Sequence, residues 1–166
     1  TYFGERTQDT AWCVTVFKDA DTKEDLWWDF SQTETTSIYA KGKQELEKLG
    51  YNILSVTGDG FGGIRSAFSV IPFQMCHVHM ERIVIRGTTR KPKTEAGVVL
   101  LALVRTLFNE KTRKDIFVRR LQSYWQKYQK FLNERTMAPI SGETFWTHED
   151  LRKAVLSLQR LTPYLF

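Results

Sequence analysis

Two short apolar stretches, residues 52–57 and 70–75, stand only far enough apart for one short helix between them. No other feature restricts the fold as much. Strand, helix and strand with so brief a crossover predict parallel pairing and a right-handed connection. The first stretch runs into Gly58-Asp59-Gly60-Phe61-Gly62-Gly63, and the second closes on Cys76-His77-Val78-His79. The intervening helix is predicted over residues 61–68.

Upstream, the apolar period is two. Trp12, Val14 and Val16 alternate with Cys13, Thr15 and Phe17, which predicts a strand with both faces at least partly covered. Asp19-Ala20-Asp21-Thr22 has turn chemistry, and Leu26, Trp28 and Phe30 then alternate with Trp27, Asp29 and Ser31, so an antiparallel hairpin is expected. Thr35 or Thr36 caps a helix predicted to reach Leu49, with Ile38, Leu46 and Leu49 inward and Gly50 ending it. Gly42 on that face permits close contact with a sheet.

From His79 onward the period is helical. Residues 87–93, with Arg90, Lys91, Pro92 and Lys93, read as an exposed basic loop, and residues 94–108 as an apolar helix. Thr112 and Asp115 form a capping-box-like start to a helix reaching about Arg135. Its inward stripe is Phe117, Leu121, Tyr124, Tyr128 and Phe131, widened by Trp125 and Leu132. Residues 138–142 break the chain, and Thr147 with Asp150 opens a last helix, apolar at Leu151, Val155, Leu158 and Leu161. The expected architecture is therefore α/β. A mixed sheet flanked by helices, of the ribonuclease-H-like kind, is expected over residues 1–86, although doubly wound sheets begin similarly. An all-helical domain follows over residues 87–166.

The 166 residues suffice for a core plus a helical appendage, and 42% apolar with 26% charged residues is ordinary globular composition. Cys13 and Cys76 are too few for a disulfide framework, and nothing at the start resembles a signal peptide. The longest apolar run, residues 97–104, is too short to span a bilayer. A soluble chain in a reducing, cytoplasmic compartment is expected. The net charge of +5 is unevenly spread: residues 1–78 carry −4, residues 79–135 carry +9, and the remainder balances. An acidic half joined to a basic half suits a metal-dependent nucleic-acid enzyme, because carboxylates hold cations while Lys and Arg meet phosphates. Solvated basic helix faces would give the same totals.

Chemistry centres on Asp59. A carboxylate at a strand's C-terminal edge, with glycines leaving the backbone open, suits a divalent ion and a phosphate. An Asp between two glycines is equally suited to satisfying the local amides of a turn. Cys76 and His79 are half of a metal site at most, since only Cys13, His77 and His148 remain as Cys or His ligands; a closed zinc site is not expected. The glycine turn lacks the Gly-Lys-Ser/Thr ending of a phosphate loop. Arg119, Arg120 and Lys127, interleaved with aromatic residues, are candidates for phosphate contact, while the aromatics fall on the core stripe.

Taken together, Thr57-Gly58-Asp59-Gly60 with Gly63, then Gln74-Met75-Cys76-His77-Val78-His79 and Arg82, resembles the Mutator-type transposases. In that family an Asp-Gly segment is followed by Gln-x-Cys-x-x-His-x-x-Arg. Thr1-Tyr2-Phe3 looks like the remnant of the family's first-strand motif, Asp-x-Thr-Tyr-Phe. The resemblance runs over nearly the whole chain. It implies a ribonuclease-H-like core in which Asp59 is the second acid of an Asp-Asp-Glu triad binding Mg²⁺ or Mn²⁺, with Cys76, His79 and Arg82 as the family's accompanying motif. It also implies strand cleavage and strand transfer on DNA by a homo-oligomer, in a bacterium and associated with the nucleoid. The first acid is expected just before Thr1. Glu134, Glu143 and Glu149 do not match the context of the third, so a truncated core is expected. Arg86, Arg90, Lys91, Lys93, Arg119, Arg120 and Lys127 are the expected DNA contacts. A non-catalytic or domesticated DNA-binding module, and a metal-dependent nuclease of the same fold, are the alternatives.

Overall fold

A computed structural model describes the backbone of Tyr2–Phe3 and residues 11–166; Thr1 of the first-strand motif lies outside the described residues. The chain is mixed α/β and divides into two compact units, Thr1–Phe73 and Gln74–Phe166.

In the first unit, β1 (Tyr2–Phe3), β2 (Trp12–Lys18) and β3 (Asp25–Ser31) form an antiparallel sheet with β2 in the centre. The expected hairpin is present, with Val14 opposite Phe30, Val16 opposite Trp28 and a bulge at Phe17/Lys18. Its turn closes on Asp19, whose Oδ1 accepts from the amides of Asp21 at 2.8 Å and Thr22 at 2.7 Å. Helix α1 (Thr36–Lys48) covers one face. Cβ on Gly42 would lie 2.6 Å from the Trp27 ring, so glycine lets this helix sit directly on the sheet. Phe17 joins the layers, 5.1 Å from Trp27, 6.0 Å from Tyr39 and 5.7 Å from Phe68 between ring centroids.

The outer face of β2 is partly covered as expected, Trp12 being 39% and Val16 41% exposed, whereas Trp28 and Phe30 of β3 are 59% and 55% exposed and lie edge-on to one another. Three expectations for this unit fail. Leu49 is exposed instead of inward, because α1 stops at Lys48 and Gly50 turns the chain with φ +87°. Residues 52–57 are not a buried strand. Only β4 (Val56–Gly58) is regular, beginning where the Val56 amide donates to the Pro72 carbonyl at 2.9 Å. Pro72 has no N–H to return, which limits the ladder on its side. Helix α2 (Gly62–Ala67) follows, and β5 (Phe73–Met75) begins as the unit ends. Among the described residues the strands fall into separate small sheets, not one continuous mixed sheet.

The second unit holds α3 (His77–Thr88), α4 (Glu95–Arg105), α5 (Lys114–Leu132) and α6 (Glu149–Leu161). Helix α3 packs on α4 and α6, so the compact division precedes it instead of falling at residue 86. Met80, Val84, Leu100, Val104, Phe117, Leu132, Val155 and Leu158 are fully buried. The predicted stripe of α5 is correct except that Phe131 and Trp125 are only half-buried and Leu132 takes the core position.

Two expected caps are replaced. The Thr112 hydroxyl donates to the Thr106 carbonyl at 2.6 Å, leaving Arg113 at the N-cap of α5, and Thr147 bonds Thr136 at 2.7 Å, leaving His148 at the N-cap of α6. The unit is also not all-helical. Residues 138–142 are the turn of a hairpin between β6 (Arg135–Met137) and β7 (Thr144–Trp146), closed by the Ala138 amide on the Glu143 carbonyl at 2.8 Å. No helix among the described residues is long and apolar enough to cross a membrane.

Candidate functional site

Asp59 follows β4 directly, where the chain turns from strand into α2. Local sterics hold that turn. Cβ on Gly58 would sit 2.9 Å from Ile64 Cδ1 and 3.2 Å from the Phe73 ring, and Gly60 has φ +89°, where glycine alone is unstrained. Asp59 Oδ1 accepts from the Phe61 amide at 3.0 Å. This is the turn role anticipated for an Asp between glycines. The side chain is exposed, and Oδ2 makes no hydrogen bond or ion pair with a described residue.

Behind this turn lies a group that sequence reasoning missed. The Phe61 ring lies 6.2 Å from that of Tyr39 on α1, and the Tyr39 hydroxyl donates to Glu34 Oε1. Burial, then the Glu34 carboxylate, hold the Tyr39 proton far above the ordinary phenol range, and the negative charge of Asp59 adds to the effect. Glu34, Tyr39 and Asp59 therefore share one electrostatic neighbourhood. Tyr39 is absent from the predicted inward face of α1, although it stands three and seven residues before Gly42 and Leu46 and shares their side of the helix, and Glu34 sits in an irregular polar segment whose sequence carries no signal.

The donor chemistry suits a hard cation only in part. Mg²⁺ is commonly held by one or two carboxylates together with water and substrate phosphates. Asp59 offers one exposed oxygen, and no group of three or more Asp, Glu, His or Cys side chains able to hold a metal exists among the described residues. These residues supply one ligand and no complete site.

Cys76 and His79 belong to the second unit and gain no further ligand there. Cys76 is the half-buried N-cap of α3, its carbonyl accepting from Met80 at 3.0 Å. His79 is half-buried, with Nδ1 enclosed and unbonded. The neighbouring His77 has a clearer structural role, Nε2 donating to the Leu165 carbonyl at 2.8 Å. Glu134, Glu143 and Glu149 serve local contacts: Glu134 with His148, Glu143 with Ser141 and Glu149 with Lys153.

The basic candidates fall into two sets. Arg82 and Arg86, one helical turn apart on α3, and Arg90, Lys91 and Lys93 in the following loop are exposed, with no ion pair among the described residues. On α5, Lys127 is bound to Glu95 at 2.7 Å and Arg119 lies 3.5 Å from Asp115, so Arg120 alone of the three has no acidic partner among the described residues. These three side chains rim a cavity of about 590 Å³ between α4 and α5, floored by Leu103 and Tyr124. The α3 set is thus the more available to phosphates, and the α5 set is largely occupied in holding α5 to α4 and to itself. Comparison with protein-family models, with curated proteins and with solved structures finds no match for this chain.

Proposed function

We propose that this chain is part of the catalytic core of a DNA transposase of the Mutator type, a ribonuclease-H-like enzyme that cleaves and transfers DNA strands with Mg²⁺ or Mn²⁺. The observation that carries the reading is Asp59, an exposed carboxylate at a strand end with one oxygen held by the turn and the other without a partner among the described residues. Divalent ions in such enzymes activate the attacking oxygen and stabilise the leaving one. Asp59 would be one ligand, the rest of the donor set lying outside the described residues. Arg82, Arg86, Arg90, Lys91 and Lys93 would hold DNA phosphates.

A nicking and strand-transfer assay on the chain together with its flanking coding sequence tests this. Asp59→Asn is expected to abolish both activities and leave DNA affinity within about twofold, the two-residue turn bond being retained. Undiminished nicking by that variant refutes the assignment. A second reading, a DNA-binding module without catalysis, is favoured by the lack of a three-ligand metal group among the described residues. It predicts salt-sensitive DNA binding with no cleavage under any divalent ion, whatever flanking sequence is included.

A further inference from the structure

The hairpin of the second unit carries two guanidinium groups on one indole. Arg135 and Trp146 are directly opposed across β6 and β7, and the Arg135 Cζ lies 3.7 Å from the Trp146 ring centroid. Arg152, in the first turns of α6, places its Cζ 4.4 Å from the same centroid. The two cations are therefore at most 8.1 Å apart, the sum of 3.7 and 4.4 Å. Neither forms an ion pair among the described residues; Arg152 Nε donates to Asn133 Oδ1 at 3.2 Å, which leaves its outer nitrogens uncommitted. Of the adjacent carboxylates, Glu134 lies 3.1 Å from His148 Nε2 and Glu149 2.5 Å from Lys153, while Asp150, two residues before Arg152, forms no ion pair among the described residues.

Attraction to the ring places both guanidiniums within 8.1 Å of each other. An anion that both can reach lowers whatever repulsion remains between them. Guanidinium forks match phosphate oxygens in geometry, and a guanidinium already fixed by stacking loses less freedom on binding than a free one. The same unit contains the basic run from Arg82 to Lys93, without ion pairs among the described residues, so a polyanion suits it better than a single small anion. We infer that Arg135, Trp146 and Arg152 form a phosphate clamp that grips the backbone of a DNA duplex. This rests on the reading of the chain as a DNA-handling protein, but not on cleavage.

The test is fluorescence anisotropy of a labelled short duplex titrated with the 166-residue chain at several salt concentrations. Two lost phosphate contacts make the slope of log affinity against log salt shallower by about 1.8. That change is expected for Arg135→Ala/Arg152→Ala. It is not expected for Lys18→Ala/Lys48→Ala, which removes the same charge from the first unit. Trp146→Ala keeps both charges and is expected to weaken binding with the slope unchanged. If the double alanine variant does not fold by circular dichroism, Arg135→Lys/Arg152→Lys replaces it, with the parent slope and weaker binding expected. An unaltered slope in the alanine pair, an equal loss in the lysine control, or full affinity in the lysine replacement overturns the clamp. So does competition by polyglutamate or inorganic phosphate equal to that of unlabelled duplex, which would assign the site to acidic peptides or free anions. If the parent chain shows no salt-dependent binding, the DNA reading fails as well; if only the variants match the parent, the clamp alone fails.

Discussion

Gly87→Ala sets helix propensity against packing in a single methyl group. Gly87 lies in the last turn of α3, where alanine would ordinarily stabilise the helix by about 0.8–1.0 kcal/mol. The added Cβ would meet the Asp150 carbonyl oxygen at 2.5 Å, the Ala154 Cβ at 2.6 Å and the Asp150 carbonyl carbon at 3.1 Å. Two of these atoms are backbone of α6, which no rotamer change can move. The remaining response is for α3 to draw away from α6, loosening two helices whose buried faces carry Met80 and Val84 on one side and Val155 and Leu158 on the other. Overpacking of this kind costs about 1–3 kcal/mol. Where the obstacle is backbone the upper part of that range applies, and the net effect is a loss of about 1–2 kcal/mol. At roughly 4–8 °C per kcal/mol for a unit of this size, the melting temperature falls correspondingly. Gly62→Ala is the matched control: it is the first residue of α2, has nothing within 4 Å of the added Cβ, and is expected to be neutral or stabilising by about 0.5 kcal/mol. Urea denaturation, with hydrogen exchange of α3 and α6 amides reporting the second unit, measures both. A Gly87→Ala variant as stable as the parent refutes the claim that these helices are in limiting contact.

Two further outcomes follow from the α4 region. The Thr94 side chain accepts from the Gly97 amide at 3.1 Å, so Thr94→Ala is expected to cost about 1 kcal/mol in the urea midpoint, with Thr94→Ser recovering most of it. The Lys127 ammonium, and then the Tyr128 hydroxyl, hold the Glu95 carboxyl below its ordinary value of 4.5. A lowered folded-state value means stability present above the unfolded-state value and lost as pH falls through the folded one. The melting temperature should thus drop on the acid side of 4.5, and Glu95→Gln should make that drop shallower; an unchanged acid profile in the variant contradicts the assignment.

Periodicity was a good guide wherever one face of an element is buried. The hairpin at Val14 and Phe30, α1, the stripe of α5 and the apolar positions of α6 were all legible, because a two- or 3.6-residue period leaves its mark directly in residue order. Legibility failed where distant partners decide. Thr112 and Thr147 satisfy the cap pattern, yet their hydroxyls find the Thr106 carbonyl and Thr136, so each helix begins one residue later. The β6–β7 hairpin is too short and too exposed to show alternation, and its Pro139 and Gly142 read as a simple break. At the candidate site, Asp59 is legible from its glycines, whereas the approach of Tyr39, and with it Glu34, to Asp59 joins segments about twenty residues apart and has no local sequence signature.

The two roles open to Asp59 are compatible, and their separation gives the most informative substitution. Holding the turn occupies Oδ1 through the Phe61 amide, and metal ligation requires the charge and the other oxygen. Asparagine keeps an acceptor for the Phe61 amide and removes the charge; alanine removes both. If Asp59 is only a turn residue, Asp59→Asn behaves as the parent in every assay and Asp59→Ala alone loses stability, by about 1 kcal/mol for the lost bond. If it is also a ligand, Asp59→Asn melts with the parent and loses strand cleavage, while Asp59→Ala loses both. Urea midpoints of the two variants, with nicking rates measured on the chain together with its flanking coding sequence, therefore assign the carboxylate, and where that longer parent cleaves DNA, an Asp59→Asn variant that cleaves at the same rate leaves Asp59 a turn residue.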